Sequence, residues 1–249
     1  MKDVENIMKK RCTAIVLAAG SGSRMKSKVA KQYMLLDGKP LIWYALHAVE
    51  ASEIIDDCIL VTGAEDIEYV RKEIVEKYGF QKVDIITAGG AERYLSVGKA
   101  LDVISEGKLK VPNTDGYVFI HDGARPFLTE TILQNTFEAV QQYHACVAAM
   151  PVKDTVKIAD EDGFAAVTPD RKLVWTIQTP QVFDTGLIVQ AYGKLREQLA
   201  GPEHKDIAVT DDAGVVELFT ETKVKLVEGA YQNIKITTPE DIATAEGFL

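Results

Sequence analysis

The chain has 249 residues, 47% hydrophobic and 26% charged, with 28 Lys+Arg against 37 Asp+Glu and a formal net charge of -9. That composition suits a soluble globular protein with a sizeable core, and its acidity excludes a general nucleic-acid or anionic-membrane binder, which needs a basic face. No apolar stretch approaches the roughly 20 residues of a membrane span, residues 1–11 have no hydrophobic signal region, and Cys12, Cys58 and Cys146 stand far apart inside apolar runs, so a cytoplasmic protein with buried, reduced thiols is expected.

The first predicted element is a strand over 14–17. It stops at Ala18-Ala19-Gly20-Ser21-Gly22-Ser23 and gives way to Arg24, Lys26, Lys28 and Lys31. A glycine-rich loop after a buried strand leaves backbone N–H groups free to face an anion, and the cations make it a polyphosphate cradle set against the global charge. No G-x-x-x-x-G-K-[ST] string occurs, and Met25 stands where a dinucleotide fingerprint needs its third glycine. Arg24 can chelate two phosphate oxygens and Lys31 supplies a movable point charge, whereas Lys26 and Lys28 read as solvated.

A helix over 40–51 follows (Leu41, Tyr44, Ala45, Ala48, Val49), then a strand over 58–61, a helix over 65–78 (Ile67, Val70, Ile74, Val75, Tyr78) and a strand over 83–86. That strand runs into Ala88-Gly89-Gly90-Ala91-Glu92-Arg93-Tyr94-Leu95-Ser96. Its glycines permit close approach to a flat ligand such as a base, and Ser96 is placed to hydrogen-bond it. Arg93 is a phosphate ligand or an ion-pair partner. After a helix over 92–103, the strand over 117–120 ends in His121-Asp122-Gly123-Ala124-Arg125-Pro126. Mg²⁺ takes one or two carboxylates and completes its shell with phosphate oxygens and water, which suits Asp122; the alternative is a turn cap. His121 reads as a packed strand-end residue, and Arg125 before the rigid Pro126 suits an anion clamp. A helix over 129–143 and a strand over 145–149 complete an α/β alternation, which implies a mostly parallel sheet with helices on both faces and ligands beyond its carboxyl ends.

After Pro151 the pattern changes. Residues 152–183 alternate instead of running apolar, and Glu161-Asp162-Gly163 is a hairpin turn signal, so a protruding β-arm is expected at about 152–182 of a single 1–249 domain. A lone two-stranded arm is marginal in water, which points to a second subunit as its cover. Asp154, Thr155 and Arg171 lie on the arm, and Gln178-Thr179-Pro180-Gln181 follows it. The helical period returns at Leu187, Ile188, Ala191, Tyr192, Leu195 and Leu199, and 201–207 reads as a polar loop. Thr210 looks like the cap of a helix over 211–219. A short strand over 224–227, a strand closed by Asn233-Ile234-Lys235 and a helix opened by Thr238-Pro239-Glu240-Asp241 end the chain.

The strings L-A-A-G-S-G-S-R-M, K-Q-Y, G-G-x-x-R-x-x-S-V, H-D-x-A-R-P, P-V-K-D-T-V-K, Q-T-P-Q, T-D-D-A and N-I-K-I-T-x-P-E-D occur in that order along nearly the whole chain. In them the chain resembles the 2-C-methyl-D-erythritol 4-phosphate cytidylyltransferases of the non-mevalonate isoprenoid pathway. The resemblance implies a Rossmann-like nucleotidyltransferase fold, a homodimer joined through β-arms, and Mg²⁺-dependent transfer of CMP from CTP to methylerythritol phosphate with release of pyrophosphate. It implies that Ala18, Ala19, Gly20, Ser21, Gly22 and Ser23 hold the triphosphate and that Arg24 and Lys31 stabilise charge at the α-phosphate. Gly89, Ala91 and Ser96 would surround cytosine and ribose, Asp122 would bind Mg²⁺, and Gly123 would contact the nucleotide. Arg125, Asp154, Thr155 and Thr210 would hold the sugar phosphate, with Arg171 reaching in from the partner subunit, and Lys235 would position the nucleophile.

Three positions depart from the family pattern: Ala30 where many members have Pro, Gly123 where Ala is usual, and Ala91 where some members have an acidic residue. The first and second should loosen their turns, and the third removes a side-chain contact to the nucleotide. A sister enzyme acting on ribitol 5-phosphate is the nearest alternative, set aside on A-A-G in the loop, D-T-V-K in the arm and W-T-I-Q-T-P-Q. A nicotinamide oxidoreductase conflicts with the missing third glycine. A non-catalytic nucleotide binder would not need Arg24, Lys31 and Asp122 together.

Overall fold

The computed structural model describes residues 9–20, 30–201 and 209–249. The five apolar runs form strands β1 (Cys12–Ala18), β4 (Asp57–Thr62), β5 (Val83–Ala88), β6 (Tyr117–Asp122) and β7 (Ala145–Pro151), with a two-residue hairpin of β2 (Leu35–Leu36) and β3 (Lys39–Pro40) after β1. A second small hairpin pairs β8 (Ile158–Ala159) with β9 (Ala165–Val167). Strands β10 (Trp175–Asp184) and β11 (Lys225–Glu228) complete a seven-stranded sheet of order β11-β7-β10-β6-β1-β4-β5. β1 runs parallel to β4 and β6, β4 to β5, and β11 to β7; β10 alone runs against its neighbours β6 and β7.

Alternation along each buried strand feeds two cores. Ala14, Val16 and Ala18 of β1 point to one face, with Ile42 and Leu46 of α1 (Leu41–Ala51) and Ile132, Leu133 and Val140 of α4 (Glu130–Tyr143). Ile15 points to the other, with Val97 and Leu101 of α3 (Arg93–Ser105), Ile188 and Leu195 of α5 (Thr185–Ala200) and Val215 of α6 (Asp212–Phe219). Burying each such Val, Leu or Ile side chain contributes about 1.5–3 kcal/mol, and both helical layers pack on the same strands. Thr129 caps α4, its hydroxyl accepting from the Ile132 N–H at 3.3 Å. The expected 65–78 helix differs in winding: α2 (Ile67–Tyr69) continues as a π-helix over Val70–Glu76, with Val70 and Ile74 both in the core. Among the described residues no helix is long and apolar enough to cross a membrane.

Two expectations are corrected. The excursion after β7 closes at 174, not 182, because Trp175–Asp184 is an inner strand of the main sheet. Asn233-Ile234-Lys235 is irregular chain and not a strand. It is held instead by Ile236, whose N–H donates to the Ala124 carbonyl at 2.9 Å and whose side chain packs with Leu36, Leu41 and Ala245 of α7 (Pro239–Glu246). The predicted start of α7 is sound: the Asp241 carboxylate accepts from the Thr237 and Thr238 N–H groups at 2.7 and 2.8 Å.

Candidate active site

The ends of β1, β5 and β6 and the first half of β10 open onto two chambers. One, of about 440 Å³, is lined by Ala18, Ala19 and Gly20, by Ala91 and Ser96, and by Lys31. The other, of about 290 Å³, is lined by Arg125, Gln178, Thr179, Gln181, Thr210 and Asp211. Both share Arg93, Asp122 and Lys235.

Local folding explains how these groups meet. Gln32 is buried and donates to the Ala18 carbonyl at 2.5 Å, and the Tyr33 hydroxyl lies 2.6 Å from Thr62 Oγ1. The K-Q-Y string therefore clamps the returning chain onto the ends of β1 and β4, which brings Lys31 to the chamber, where its Nζ donates to the Ile236 carbonyl at 3.2 Å. Gly89 lets the loop after β5 touch the loop after β1: a Cβ there would lie 2.3 Å from Ala19 Cβ and 2.8 Å from Ser96 Oγ. The close approach that its missing side chain permits is thus to the chain itself. Ser96 is buried, accepts from the Gly90 N–H at 3.0 Å and donates to the Glu92 carbonyl at 3.2 Å, so it shapes the turn that presents Ala91.

Asp122 is the centre of charge. Lys235 Nζ lies 2.7 Å from Oδ2, Arg93 Nε 3.2 Å from Oδ1 and Arg125 Nε 3.8 Å from Oδ2. Burial alone would raise its carboxyl, but Arg93, then Lys235 and Arg125, outweigh burial and hold it well below the usual range. Arg93 is the ion-pair partner of the two sequence alternatives: its Nη2 also lies 2.8 Å from Asp212 Oδ2. Burial opposes its charge, yet Asp212 and Asp122 raise it above the ordinary guanidinium value. Four cations (Lys31, Arg93, Arg125, Lys235) line the two chambers with three carboxylates (Glu92, Asp122, Asp211), and Asp212 behind Arg93 makes a fourth, so the cleft is locally balanced in a chain of -9.

His121 is wholly buried, and burial pushes its imidazole down to about 4. Asp122 N–H donates to Thr179 Oγ1 at 3.1 Å, that hydroxyl lies 3.0 Å from His121 Nδ1, and Nε2 lies 3.1 Å from the Arg125 carbonyl. A carbonyl only accepts, so Nε2 carries the proton and Nδ1 accepts from Thr179. The neutral ring ties β10 to the Asp122–Arg125 turn and has no lone pair left for substrate, as the packed reading requires.

Other candidate residues divide in three. Ala18, Ala19, Gly20, Lys31, Ala91, Ser96, Asp122, Arg125, Thr210 and Lys235 line the chambers. Gly123 does not: its N–H donates to the Leu17 carbonyl at 2.9 Å, and a Cβ would lie 2.5 Å from Ile42 Cδ1, so glycine fits a tight packing position here instead of loosening the turn. Asp154, Thr155 and Arg171 are exposed on the arm and line neither chamber; Arg171 Nη1 donates to the Lys153 carbonyl at 2.9 Å. Ser21, Gly22, Ser23 and Arg24, with Lys26 and Lys28, lie outside the described residues. Thr210 is not the cap of α6; Asp211 is, accepting from the Gly214 N–H at 3.0 Å, because its carboxylate reaches the turn and the Thr210 hydroxyl is one residue too early.

Sequence reasoning missed Gln178, Gln181, Asp212 and Asn233. Gln181 donates to Asp211 at 2.9 Å and accepts from the Ala213 N–H at 2.9 Å, fixing α6 to β10. Asn233 is fully buried, donates to the Thr179 carbonyl at 2.8 Å, and its own carbonyl accepts from Arg125 Nη1 at 2.7 Å. The strings Q-T-P-Q, T-D-D-A and N-I-K contained all four.

Residues 12–249 match the family model of 2-C-methyl-D-erythritol 4-phosphate cytidylyltransferase (IspD). The chain is 53% identical over 237 residues to a 2-C-methyl-D-erythritol 4-phosphate cytidylyltransferase of Lachnospira eligens, covering 95% of this chain and 98% of that protein. It is 45% identical over 239 residues to the enzyme so named in Lachnoclostridium phytofermentans, covering 96% of each. Among solved structures, 4-diphosphocytidyl-2C-methyl-D-erythritol synthase of Anaerococcus prevotii superposes with a TM-score of 0.79 at 38% identity, over 96% of this chain and 98% of that one. The Francisella tularensis cytidylyltransferase superposes with a TM-score of 0.76 at 27% identity, over 96% and 100%.

Proposed function

The chain belongs to the 2-C-methyl-D-erythritol 4-phosphate cytidylyltransferase family, and on that premise we propose that its two chambers divide the reaction, CTP in the larger and the sugar phosphate in the smaller. The enzyme transfers CMP from CTP to 2-C-methyl-D-erythritol 4-phosphate, giving CDP-methylerythritol and pyrophosphate; ribitol 5-phosphate is not the acceptor that its relatives' names support. The observation that carries the division is the shared set Arg93, Asp122 and Lys235, because the α-phosphate and the attacking phosphate must meet where the chambers join.

The acceptor's phosphate is already largely ionised at neutral pH, its second pKa lying near about 6. One of its oxygens bonds to the α-phosphorus as the bond to the bridging oxygen of pyrophosphate breaks, and no proton need be removed. The chain therefore has to position and neutralise, not act as a base. Lys235, facing both chambers, draws the acceptor oxygen toward the α-phosphate, with Arg125 and Thr210 behind it. Lys31 and the Ala18–Gly20 backbone meet the triphosphate, with Arg24 as the further cation, and Ala91 and Ser96 border the base.

Among the described residues no three ligating side chains cluster. A divalent ion here would take one carboxylate, Asp122, and its other ligands from triphosphate and water, the shell that Mg²⁺ favours. The single, strongly ionised carboxylate fits that role. When bound, Mg²⁺ supplies charge neutralisation at the phosphates.

We also read the enzyme as a homodimer joined through the arm. Phe164 and Leu173 of that arm are 74% and 81% exposed, and Arg171 lines neither chamber of its own chain. Arg171, Thr155 and Asp154 would then complete the acceptor chamber of the partner. A cytoplasmic location is supported by three cysteines that are buried and unpaired.

Pyrophosphate release from CTP and Mg²⁺ with methylerythritol phosphate, run beside ribitol 5-phosphate, tests the reading. Release with the first substrate and a loss of about 10³-fold in kcat for Lys235→Ala are expected. Release with ribitol phosphate alone would reassign the smaller chamber, and silence with both would overturn the activity.

A further inference from the structure

Asp212 is 0% exposed and does not cap α6, since Asp211 does that. Its Oδ1 accepts from the Tyr192 hydroxyl at 2.6 Å, and its Oδ2 lies 2.8 Å from Arg93 Nη2. Tyr192, on α5, is 1% exposed. Arg93 opens α3 and reaches Asp122 Oδ1 through Nε. A continuous polar chain, Tyr192–Asp212–Arg93–Asp122, thus runs from between α5 and α6 to the carboxylate that both chambers share.

From this we infer that Asp212 and Tyr192 are positioning residues for Asp122, acting through Arg93. The inference rests on the cytidylyltransferase reading above. A buried ion pair is weak evidence for stability, because apolar residues of similar volume commonly serve as well. What such a pair supplies here is orientation. The three cations on Asp122 are held differently. Lys235 is 35% exposed at its side chain, and its described ion pair is to Asp122 alone. Arg125 is tied on its far side to a backbone carbonyl, that of Asn233. Arg93 has a second, fully buried carboxylate behind it, itself fixed by a tyrosine. Arg93 thus bridges two carboxylates, hydrogen-bonded to Asp122 through Nε and ion-paired with Asp212 through Nη2, which the single nitrogen of a lysine cannot offer.

Incoming phosphates compete with Asp122 for its cations. Lys235 can turn toward them, while Arg93 stays on Oδ1 because withdrawing it would strand Asp212 in the core. Oδ1 is thereby kept in place, and Oδ2, the oxygen that Lys235 releases, is left aimed at the junction of the chambers. Groups bonded directly to a ligating side chain, as Arg93 is to Asp122, typically matter by about 10- to 100-fold, which sets the upper bound for the residues behind it.

Asp212→Asn keeps the volume and a partner for Tyr192 but removes the charge that holds Arg93. Tyr192→Phe removes one hydroxyl from a ring that otherwise stays packed. Expected for Asp212→Asn is a fall in kcat of about 10-fold, and at most about 100-fold, with the KM for acceptor nearly unchanged, and a weaker strengthening of CTP binding by Mg²⁺ in calorimetry. Tyr192→Phe should move both readouts in the same direction by a smaller factor, about threefold or more. A folded Asp212→Asn enzyme with wild-type kcat and wild-type Mg²⁺-dependent CTP binding would overturn the inference. So would losses that follow only the unfolded fraction in a melt. If Asp212→Asn does not fold, unchanged readouts in Tyr192→Phe overturn it equally. A wild-type enzyme that released no pyrophosphate would instead fault the functional reading, while the calorimetric comparison would still report on the chain of contacts.

Discussion

Arg93 and Arg125, in the cleft, have side chains 28% and 11% exposed and reach carboxylates on Asp122 and Asp212 or the Asn233 carbonyl. Arg171, on the arm, is exposed and its described hydrogen bond is to the backbone of Lys153. The same contrast holds for apolar residues: Val97, Val118 and Ile120 behind the cleft are fully buried, whereas Ile158, Phe164, Val167 and Leu173 on the arm are more than half exposed. The cleft is organised by contacts within one chain. The arm presents side chains and apolar surface to solvent, and the proposed homodimer rests on that contrast.

A subunit-mixing experiment is the strongest way to break that contrast. Arg171→Ala and Lys235→Ala should each lower kcat/KM by about 10²- to 10³-fold. If Arg171 acts in the partner's site, a dissociated and reassociated mixture of the two inactive enzymes regains about a quarter of wild-type activity, since half the dimers are mixed and each holds one intact site. No recovery would return Arg171 to its own chain.

Acid should find the cleft before the arm. His121 titrates at about 4 in the fold against 6.5 unperturbed. Between those values the unfolded chain binds a proton that the native chain does not, so stability is complete above about 6.5 and falls by up to about 3 kcal/mol as pH drops toward 4. Denaturant titrations at pH 7 and 4.5 should show the loss, and His121→Gln should reduce it. An equal loss in both enzymes would remove His121 as the cause.

Two glycines sharpen the difference at smaller scale. Gly89→Ala places a Cβ against Ala19 and Ser96 and should cost about 1–3 kcal/mol while raising the KM for CTP. Gly163, at the arm's turn, has φ +85° and open space around it, so Gly163→Ala should cost about 1–2 kcal/mol from backbone strain and leave the KM for CTP unchanged. Equal effects on CTP would deny the cleft its separate organisation.

The parallel strands were legible because burial on both faces leaves continuous apolar runs, as at Ile15-Val16-Leu17 and Val118-Phe119-Ile120. The inner strand β10 was not. Its Gln178, Thr179 and Gln181 fall in the alternating stretch read as a protruding arm, but they are buried against Ala230, His121 and Asp211, where a polar chamber sits. Periodicity equates polar with exposed, and a functional interior breaks that equation. Motif strings contained most of the residues that line the two chambers, including Lys31, Asp122 and Lys235. They could not reveal which groups pair: Arg93 with Asp212, or Asn233 with Thr179, are contacts between segments far apart in sequence that only the folded chain brings together.

The arm is mounted at both ends on neighbouring strands, where Trp175 sits opposite Pro151 and the Val152 N–H donates to the Val174 carbonyl. A residue added at the 161–163 turn lengthens a loop. One added at 174 would instead offset β10 by a single step and turn Gln181 and its neighbours over to the opposite side of the sheet. Length variation over evolutionary time should therefore collect at the arm's tip and be absent at its root.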